Sequence, residues 1–268
     1  MDFAFTDEQL ELKRSAREWL ADRYPLDRDW DAPQDDRWSE LAELGWLDVA
    51  EAGLGFVEEA IVLEELGYAL YPGPYLAHIA GKSGVIEVNG LAYGGDQGEP
   101  LDTVDPRRPL RRVGSGNGSK ETPRLRVAMA AEALGVAQRA LELGIQHAKT
   151  REQFGKPIGI YQAVSHQLAD TYADVELSRS LVYWAAWCVA EEDANAQMAA
   201  AAAKAFATEA AVKACERSIQ VHGGIGFTWE HPLHRYYKRA LWLEGFGERP
   251  AELRAEVADA VLGVTIGV

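Results

Sequence analysis

The sequence predicts a mainly α-helical protein with a small β segment in its middle and an up-and-down four-helix bundle on its C-terminal side. Two observations carry this prediction. Apolar residues recur at helical spacing along most of the chain, whereas residues 82–123 are rich in Gly and Pro. The stretches after residue 123 are long and are joined by short turns, which favours antiparallel helix neighbours. We therefore divide the chain into an N-terminal helical region (1–81), a β region (82–123) and a bundle (124–268).

Three helices are predicted in the N-terminal region. Thr6 and Gln9 form a capping-box pattern, in which a hydroxyl and an amide satisfy backbone groups at a helix start. Glycine and proline end the two helices that follow, because glycine adopts left-handed backbone angles and proline cannot continue a helix. These two helices are expected at residues 36–44, before Gly45, and at 57–70, before Pro72 and Pro74.

Short β-like runs and turn residues characterise the second region. Asn89 and Gly90 are typical of a two-residue hairpin turn between strands. The Gly- and Ser-rich residues 115–119 predict a flexible loop. The β-like runs are 85–88 and 110–113, so we expect a remnant of two to four short strands.

Five helices are predicted in the third region. The first ends at Arg151, where Gly155 and Pro157 interrupt the helical pattern. An alanine-rich stretch has high helix propensity, and its small side chains allow close helix packing. The predicted helices cover residues 125–149, 160–191, 193–221, 232–246 and 250–262.

The composition limits the classes of function. A formal net charge of −15 makes nucleic acid a poor partner, because phosphate backbones bind basic surfaces. Cys188 and Cys215 are the only cysteines and both fall in helical patterns, so we expect no disulfide framework and a reducing compartment. No apolar run reaches membrane-spanning length, and the first residues are acidic rather than a hydrophobic signal region. We therefore expect a cytoplasmic protein with no membrane partner.

One turn, within residues 149–170, concentrates unusual chemistry. Arg151, Gln153 and Phe154 stand within four positions beside the helix break. Such a set suits a planar, anionic ligand, because arginine binds a diphosphate, an amide binds polar edges and an aromatic ring stacks on another ring. In the alternative interpretation the turn is an ordinary helical hairpin, in which the arginine caps carbonyl groups and the phenylalanine belongs to the core.

A second motif, QVHGGIGF at residues 220–227, completes a resemblance to a known family. It ends a helix, unlike a dinucleotide-binding Gly-rich loop, and taken alone it also fits a double-glycine helix cap. Together with the RxQFG turn it resembles the acyl-CoA dehydrogenase family. The resemblance implies FAD as the cofactor, with these motifs serving largely the FAD of a neighbouring subunit. The residues it implies for FAD binding are Arg151, Gln153, Phe154, Gln162, Gln220, Gly223 and Gly224.

The β region departs from the family pattern. Acyl-CoA dehydrogenases hold a complete β-barrel domain at this place, and their usual Thr/Ser-Glu-Pro…Gly-Ser-Asp run is absent here. The resemblance therefore implies a truncated middle domain that has lost much of what would hold its own flavin ring. This favours a homo- or hetero-oligomer, the latter with a longer homologous subunit. An electron-transfer flavoprotein is a further partner that the resemblance implies.

The family reaction needs a carboxylate that removes a proton from the α-carbon of an acyl-CoA thioester. In many members this base is a glutamate before a glycine late in the bundle. An ungapped count from the second motif places Gly247 at that position. Glu244, followed by Gly245, reproduces the motif only if three residues are deleted between them and the second motif. Glu244 is therefore one candidate for the base.

Other family members carry the base on the first helix of the bundle, where Glu132 is the second candidate. Glu132 interrupts an apolar run, and a carboxylate there is costly unless it is paired or functional. Subfamilies with a similar A-A-E-x-x-G helix are linked to sterol side-chain or bulky acyl-CoA oxidation. In the alternative interpretation Glu132 pairs with a nearby arginine such as Arg126 or Arg139.

Charged and aromatic residues follow the second motif, and we interpret most of them as structural. The histidine spacing matches no metal-ligand pattern, so no metal site is predicted. The histidines in question are His222, His231 and His234. Trp229, Tyr236 and Tyr237 are expected to pack, and Lys238 and Arg239 to lie on the surface or near the phosphates of CoA.

Three functions remain open from the sequence. The first is an FAD-dependent acyl-CoA dehydrogenase, or the shorter subunit of one, acting on a bulky, for example sterol-derived, acyl-CoA. The second is a non-catalytic assembly subunit. The third is a non-redox enzyme, such as a lyase or cyclase, that uses the thioester-acidified carbon on the same scaffold.

Overall fold

The computed structural model describes residues 4–49, 53–81, 83–114 and 120–263. It confirms a mainly helical fold with a small central sheet. The helices are α1 (Asp7–Arg23), α2 (Trp38–Glu43), α3 (Phe56–Ala69), α4 (Tyr75–Ala80), α5 (Pro123–Thr150), α6 (Gln162–Ala190), α7 (Ala196–His222), α8 (Leu233–Gly245) and α9 (Pro250–Leu262). The strands are β1 (Ile86–Val88), β2 (Leu91–Tyr93), β3 (Glu99–Leu101), β4 (Leu110–Arg112), β5 (Glu152–Gln153) and β6 (Lys156–Pro157).

Local signals set the starts of the N-terminal helices. The Thr6 hydroxyl accepts the Gln9 amide at 3.2 Å and the Gln9 side chain accepts the Thr6 amide at 3.0 Å, so the predicted capping box is confirmed. Helix α2 begins later than predicted because Arg37 has a left-handed backbone with a φ of 48°. Sequence reasoning missed α4, which begins directly after Pro74. Proline ends one helix but also suits the start of another, where its missing N–H costs little.

Glycines bring the N-terminal helices into backbone contact with the bundle. A Cβ atom on Gly67 of α3 would lie 2.1 Å from the carbonyl oxygen of Glu132. A Cβ atom on Gly135 of α5 would lie 1.8 Å from the carbonyl oxygen of Glu64. No side chain fits at such distances, so only glycine permits this approach of the two helices. The crossing thereby fixes α5, the first bundle helix, against α3.

The β region forms one antiparallel sheet with the strand order β1-β2-β4-β3. Asn89 and Gly90 have φ angles of 51° and 76°, as a two-residue hairpin turn requires, and they confirm the predicted turn between β1 and β2. Strands β1 and β4 correspond to the predicted runs, and β2 and β3 bring the total to four short strands, within the expected two to four. The predicted flexible loop at 115–119 lies outside the described residues.

Helices α5 to α8 form the bundle, and α9 packs against α7. Helix α7 also contacts α5, α6 and α8, which small side chains allow. Its fully buried alanines are Ala199, Ala200, Ala201, Ala203, Ala207 and Ala211. The alanine run is therefore a packing face, as predicted.

The main hydrophobic core crosses the borders of the three predicted regions. It includes Leu20 and Leu66 from the first region, Tyr93 from the sheet, and Leu134 from the bundle. Cys188 and Cys215 are buried, unpaired thiols. Within the described part of the chain, none of the helices combines the length and apolar character that crossing a bilayer requires.

Candidate cofactor-binding site

The two motifs singled out in the sequence meet at one end of the bundle. The ring of His147, in the last turn of α5, stacks on the ring of His222, the last residue of α7, with centroids 4.2 Å apart. Arg151 is the C-terminal cap of α5, and its backbone amide donates to the carbonyl of His147 at 2.8 Å. Gly223 is the C-terminal cap of α7, with a φ of 64°. The Arg151 turn and the glycine pair therefore lie side by side.

The turn after Arg151 is a tight hairpin of β5 and β6. Phe154 and Gly155 take left-handed φ angles of 55° and 74°, which places the Phe154 ring outside the fold, 91% exposed. The guanidinium of Arg151 makes no hydrogen bond or ion pair with any residue that the structure describes. The interpretation in which the arginine caps carbonyls and the phenylalanine is core is therefore wrong.

The ends of α7 and α6 near this turn expose backbone and side-chain amide groups to solvent. Gln220, Gly223 and Gly224 are exposed, and a Cβ atom added to either glycine would meet no atom within 4 Å. Gln162 is also exposed and is the first residue of α6, whose start has no side-chain cap. The N-terminal end of a helix carries partial positive charge and unpaired amides, which favour an anion.

These groups fit the adenosine-diphosphate half of a dinucleotide such as FAD. Arg151 offers a cationic fork for phosphate, Phe154 an exposed ring face, and the glycine pair a backbone that a ligand can approach closely. All the predicted cofactor-binding residues are exposed on this chain: Arg151, Gln153, Phe154, Gln162, Gln220, Gly223 and Gly224. These residues thus leave one open surface at this end of the chain.

A stack of three histidines supports the two helix ends from inside. The ring of His231 also contacts that of His222, tilted by 51°, with ring centroids 4.4 Å apart. Burial lowers the pKa of all three imidazoles, and mutual repulsion lowers the pKa of His147 and His231 further, that of His231 to about 4. The stack is therefore neutral near pH 7. Among the described residues, no three His, Cys, Asp or Glu side chains are placed to hold a metal ion.

We expect acidification to destabilise the protein through this stack. The unfolded chain binds protons near the ordinary histidine pKa of 6.5, whereas folded His231 binds one only near 4, so stability falls as the pH drops between these values. The expected loss is on the order of 1 kcal/mol after solvent screening. Urea unfolding of His231→Gln should show a flatter pH dependence than wild type. The exposed His166→Gln is the control, and an unchanged slope in His231→Gln would contradict the account.

The candidate base Glu132 lies in a buried ion cluster. Its Oε1 atom accepts from Nη2 of Arg108 at 2.5 Å and from Nη1 of Arg239 at 2.6 Å. Arg239 also donates from Nε to Asp105 at 2.5 Å. Burial acts to raise the pKa of Asp105, but Arg239 outweighs it, so this pKa is lowered. The cluster contains two carboxylates and two guanidiniums and joins the sheet region to α5 and α8.

The arginines that the sequence suggested as partners of Glu132 are engaged elsewhere. Arg126 binds the carboxylates of Glu248 and Glu256, with Nη–Oε distances of 2.6 to 2.8 Å. Arg139 lies 3.4 Å from Glu142. These two partner predictions are wrong because the pairing is set by tertiary contacts. The expectation that Arg239 lies on the surface is wrong for the same reason, since its side chain is buried.

The second candidate base and the aromatic residues have different environments. Glu244 is half-buried at the end of α8, and burial raises its pKa, as do the nearby carboxylates of Glu209 and Glu216. Tyr236 packs inside, as expected, and donates to the carbonyl of Tyr68 at 2.9 Å. Trp229 does not pack in the core: its side chain is 72% exposed.

The sequence matches the family profiles described as "Acyl-CoA dehydrogenase, N-terminal domain" over residues 6–97 and "Acyl-CoA dehydrogenase, C-terminal domain" over residues 119–248. The chain belongs to the acyl-CoA dehydrogenase family. The protein named Acyl-CoA dehydrogenase IpdE2 of Mycobacterium tuberculosis is 33% identical over 262 residues, covering 80% of each chain.

Solved structures of acyl-CoA dehydrogenases share the fold. A variant of the steroid ACAD Tcur3481-Tcur3483 is 25% identical, with a TM-score of 0.74 over 96% of this chain and 98% of that one. The ChsE4-ChsE5 complex from Mycobacterium tuberculosis is 23% identical, with a TM-score of 0.78 over 99% of this chain and 100% of that one.

In this family member, packed side chains fill the place where an ungapped count puts the family's glutamate base. Gly247 has a φ of 78°, and a Cβ atom on it would lie 1.7 Å from Oε1 of Glu121. Glu121 is buried and pairs with Lys204, whose Nζ also donates to the carbonyls of Phe246 and Glu248 at 2.9 and 3.0 Å. Burial lowers the pKa of Lys204 and raises that of Glu121.

Sequence reasoning missed this second buried ion pair, Lys204 with Glu121. Lys204 directly follows five consecutive alanines, and that placement of a charge was the available signal. Its partner Glu121 is 83 residues away in the chain, so no sequence pattern connects them. The ion pair between Lys204 and Glu121 occupies the space beside Gly247.

Proposed function

We propose that this chain is one subunit of a hetero-oligomeric, FAD-dependent acyl-CoA dehydrogenase, and that it lends a binding surface to an FAD held mainly by a longer partner. One observation carries the proposal. The free guanidinium of Arg151 stands beside the open backbone of Gly223 and Gly224, at the end of a bundle. An anionic, ring-bearing ligand is what this combination binds.

The exposure of these groups supports a role across a subunit interface. Phe154 is almost fully exposed, and Ile225 and Phe227 of the facing turn are 48% and 76% exposed. Apolar side chains concentrated around a cationic group mark an interaction surface. A second chain is needed to enclose a dinucleotide here, because this chain provides only one wall. The four three-residue strands of the central sheet leave little surface for a flavin ring.

In this proposal the bound FAD supplies the hydride acceptor for α,β-dehydrogenation of an acyl-CoA. Arg151 neutralises the diphosphate, and Gln220, Gln153 and Gln162 provide donors and acceptors to its polar edges. Phe154 covers an aromatic face and excludes water from it. The likeness to a protein named as a steroid ACAD supports a bulky substrate, such as a sterol-derived acyl-CoA.

The contacts in this chain favour a catalytic base on the partner. Glu132 shares one oxygen between two guanidiniums and is closed off from solvent, which suits an ion pair more than proton removal. Gly247 supplies no carboxylate, and Glu121 beside it is held by Lys204. The catalytic roles of Glu132 and Glu244 remain predictions.

We expect Arg151→Ala to lower the FAD affinity of the assembled complex by about 10- to 100-fold, because a charge-assisted contact to the diphosphate is lost. Flavin fluorescence during dilution of the purified complex measures this affinity. Arg14→Ala is the matched control, since Arg14 is an exposed arginine of α1 that pairs only with Glu11 among the described residues. Equal FAD affinity in both variants would show that the Arg151 turn does not bind FAD.

A second candidate is a non-catalytic assembly subunit, which the filled space around Gly247 favours. Such a subunit would stabilise the partner without touching its flavin. Arg151→Ala would then leave the flavin affinity of the complex unchanged while the partner still copurifies. The same experiment therefore separates the two candidates.

A further inference from the structure

A cavity of about 290 Å³ is lined by none of the residues predicted to bind the cofactor, and its lining is mainly cationic and aromatic. It opens between the loop after α1, the loop between β3 and β4, and the exposed side of α8. Its cationic lining residues are Arg107, Arg235, Lys238 and Arg239, and two tryptophans, Trp30 and Trp229, flank them. The volume suits a small ligand or one group of a larger one.

The negative charges near this cavity do not balance the positive ones. Arg239 is already engaged by Asp105 and Glu132. Asp31 meets Arg235 at 3.0 Å but is largely exposed, so water screens that pair. Among the described residues, neither Arg107 nor Lys238 has a carboxylate within 4.0 Å of its side-chain nitrogens. An excess of positive charge stands here in a chain whose net charge is −15.

Two guanidinium atoms at this cavity lack partners. Nη1 of Arg107 and Nε of Arg235 are buried and donate no hydrogen bond within the described structure. The other end of Arg107 is fixed, since Nη2 donates to the carbonyl of Trp30 at 2.5 Å. Buried donors of this kind are rare in folded proteins, and a ligand or an ordered water normally satisfies them. The fixed arginine thus presents the two N–H donors of Nη1 without a partner among the described residues.

The cations repel one another and are held in place by the tryptophan rings. Lys238 stands over Trp229 at 4.5 Å, and Arg107 and Arg235 stand over Trp30 at 5.0 and 5.4 Å. Burial lowers the pKa of Arg107, and the charge of Arg235 lowers it further. An anion among these groups would relieve the repulsion and satisfy the free donors.

We propose that this cavity binds the phosphate group of a small phosphorylated ligand. Arg107 and Arg235 donate to the phosphate oxygens, and Lys238 neutralises the remaining charge. Phosphate is favoured over a carboxylate because its three terminal oxygens can accept hydrogen bonds from three separate cations, whereas a carboxylate has two oxygens. The site shares no residue with the Arg151 turn or the glycine pair, and the proposal does not depend on the proposed FAD function.

Isothermal titration calorimetry on the isolated full-length chain tests this proposal without FAD or a partner. The ligands are inorganic phosphate, ADP and CoA, with adenosine as the phosphate-free control. We expect saturable binding of at least one phosphate compound with a Kd below about 1 mM and none of adenosine. The ranking of the three compounds identifies whether the phosphate is free or carried by a nucleotide or by CoA.

Two variants locate the binding. Arg107→Gln and Lys238→Gln should each weaken it by about 10-fold, because each removes one cation from the phosphate shell. Neither residue has a carboxylate partner among the described residues, so the fold should be kept, which circular dichroism checks. Lys213→Gln, an exposed lysine of α7, should leave the affinity unchanged. Absence of saturable phosphate binding, or equal affinity in all three variants, would overturn the proposal.

Discussion

Gly135→Ala is expected to lower the free energy of unfolding by about 3 kcal/mol or more, or to prevent folding. The new methyl group would lie 1.8 Å from the carbonyl oxygen of Glu64 and 2.6 Å from the amide nitrogen of Tyr68. Both atoms belong to the backbone of α3, so the two helices must separate, and overpacking of this kind is among the most damaging substitutions. The midpoint of urea unfolding measures the loss.

Gly245→Ala is the matched control for this variant. Gly245 is the last residue of α8, and a Cβ atom on it would meet nothing within 4 Å. Its substitution should change stability by less than about 0.5 kcal/mol or raise it slightly, because alanine restricts the unfolded chain. If the two variants unfolded at the same urea concentration, the glycine contact between α3 and α5 would not hold the N-terminal region to the bundle.

Arg239→Met is expected to cost about 3–5 kcal/mol of stability, because two buried carboxylates lose their shared cation. Asp105 and Glu132 both bind this guanidinium, and neither carboxylate is solvent-exposed. Arg14→Met, on the surface, should change stability by less than about 1 kcal/mol. Combining Arg239→Met with Asp105→Asn should recover part of the loss, since Asp105 pairs with no other cation among the described residues, whereas Glu132 keeps Arg108. A loss no larger than that of the surface control would contradict a cluster that fastens the sheet to α5 and α8.

The single variant Glu132→Gln separates the two roles considered for this residue. A structural ion pair predicts lower stability with turnover of the assembled complex kept. A proton-removing base predicts that turnover falls by at least about 100-fold while FAD content is kept. The stability curve and the turnover of one preparation therefore decide the assignment.

Signals carried by neighbouring residues were sufficient for much of the fold. Thr6 and Gln9 cap their own helix, and Asn89 and Gly90 make their own turn, so each could be predicted locally. Helix α4 escaped prediction because Pro74 was read as an end, although a proline also suits a start.

In the candidate site, too, local motifs could be predicted from the sequence, whereas features set by tertiary contacts could not. Arg151 and the glycine pair stand in short motifs, so their residues could be named from the sequence. Their exposure could not be, because the left-handed turn at Phe154 decides which way its ring points. The partners of Glu132 could not be predicted either, since its two arginines lie 24 and 107 residues away in the chain. Contacts over such distances depend on the packed helices and leave no mark on local spacing.

The flavin content of reconstituted complexes tests the central claim most directly. The chain, a longer homologous subunit and their mixture are each purified with excess FAD, and bound flavin is read from visible absorption. The proposal predicts that this chain alone is colourless, and that the mixture retains stable flavin that Arg151→Ala removes. Stable, full flavin loading of this chain alone, or of the longer subunit without it, would contradict a site built from two unlike polypeptides.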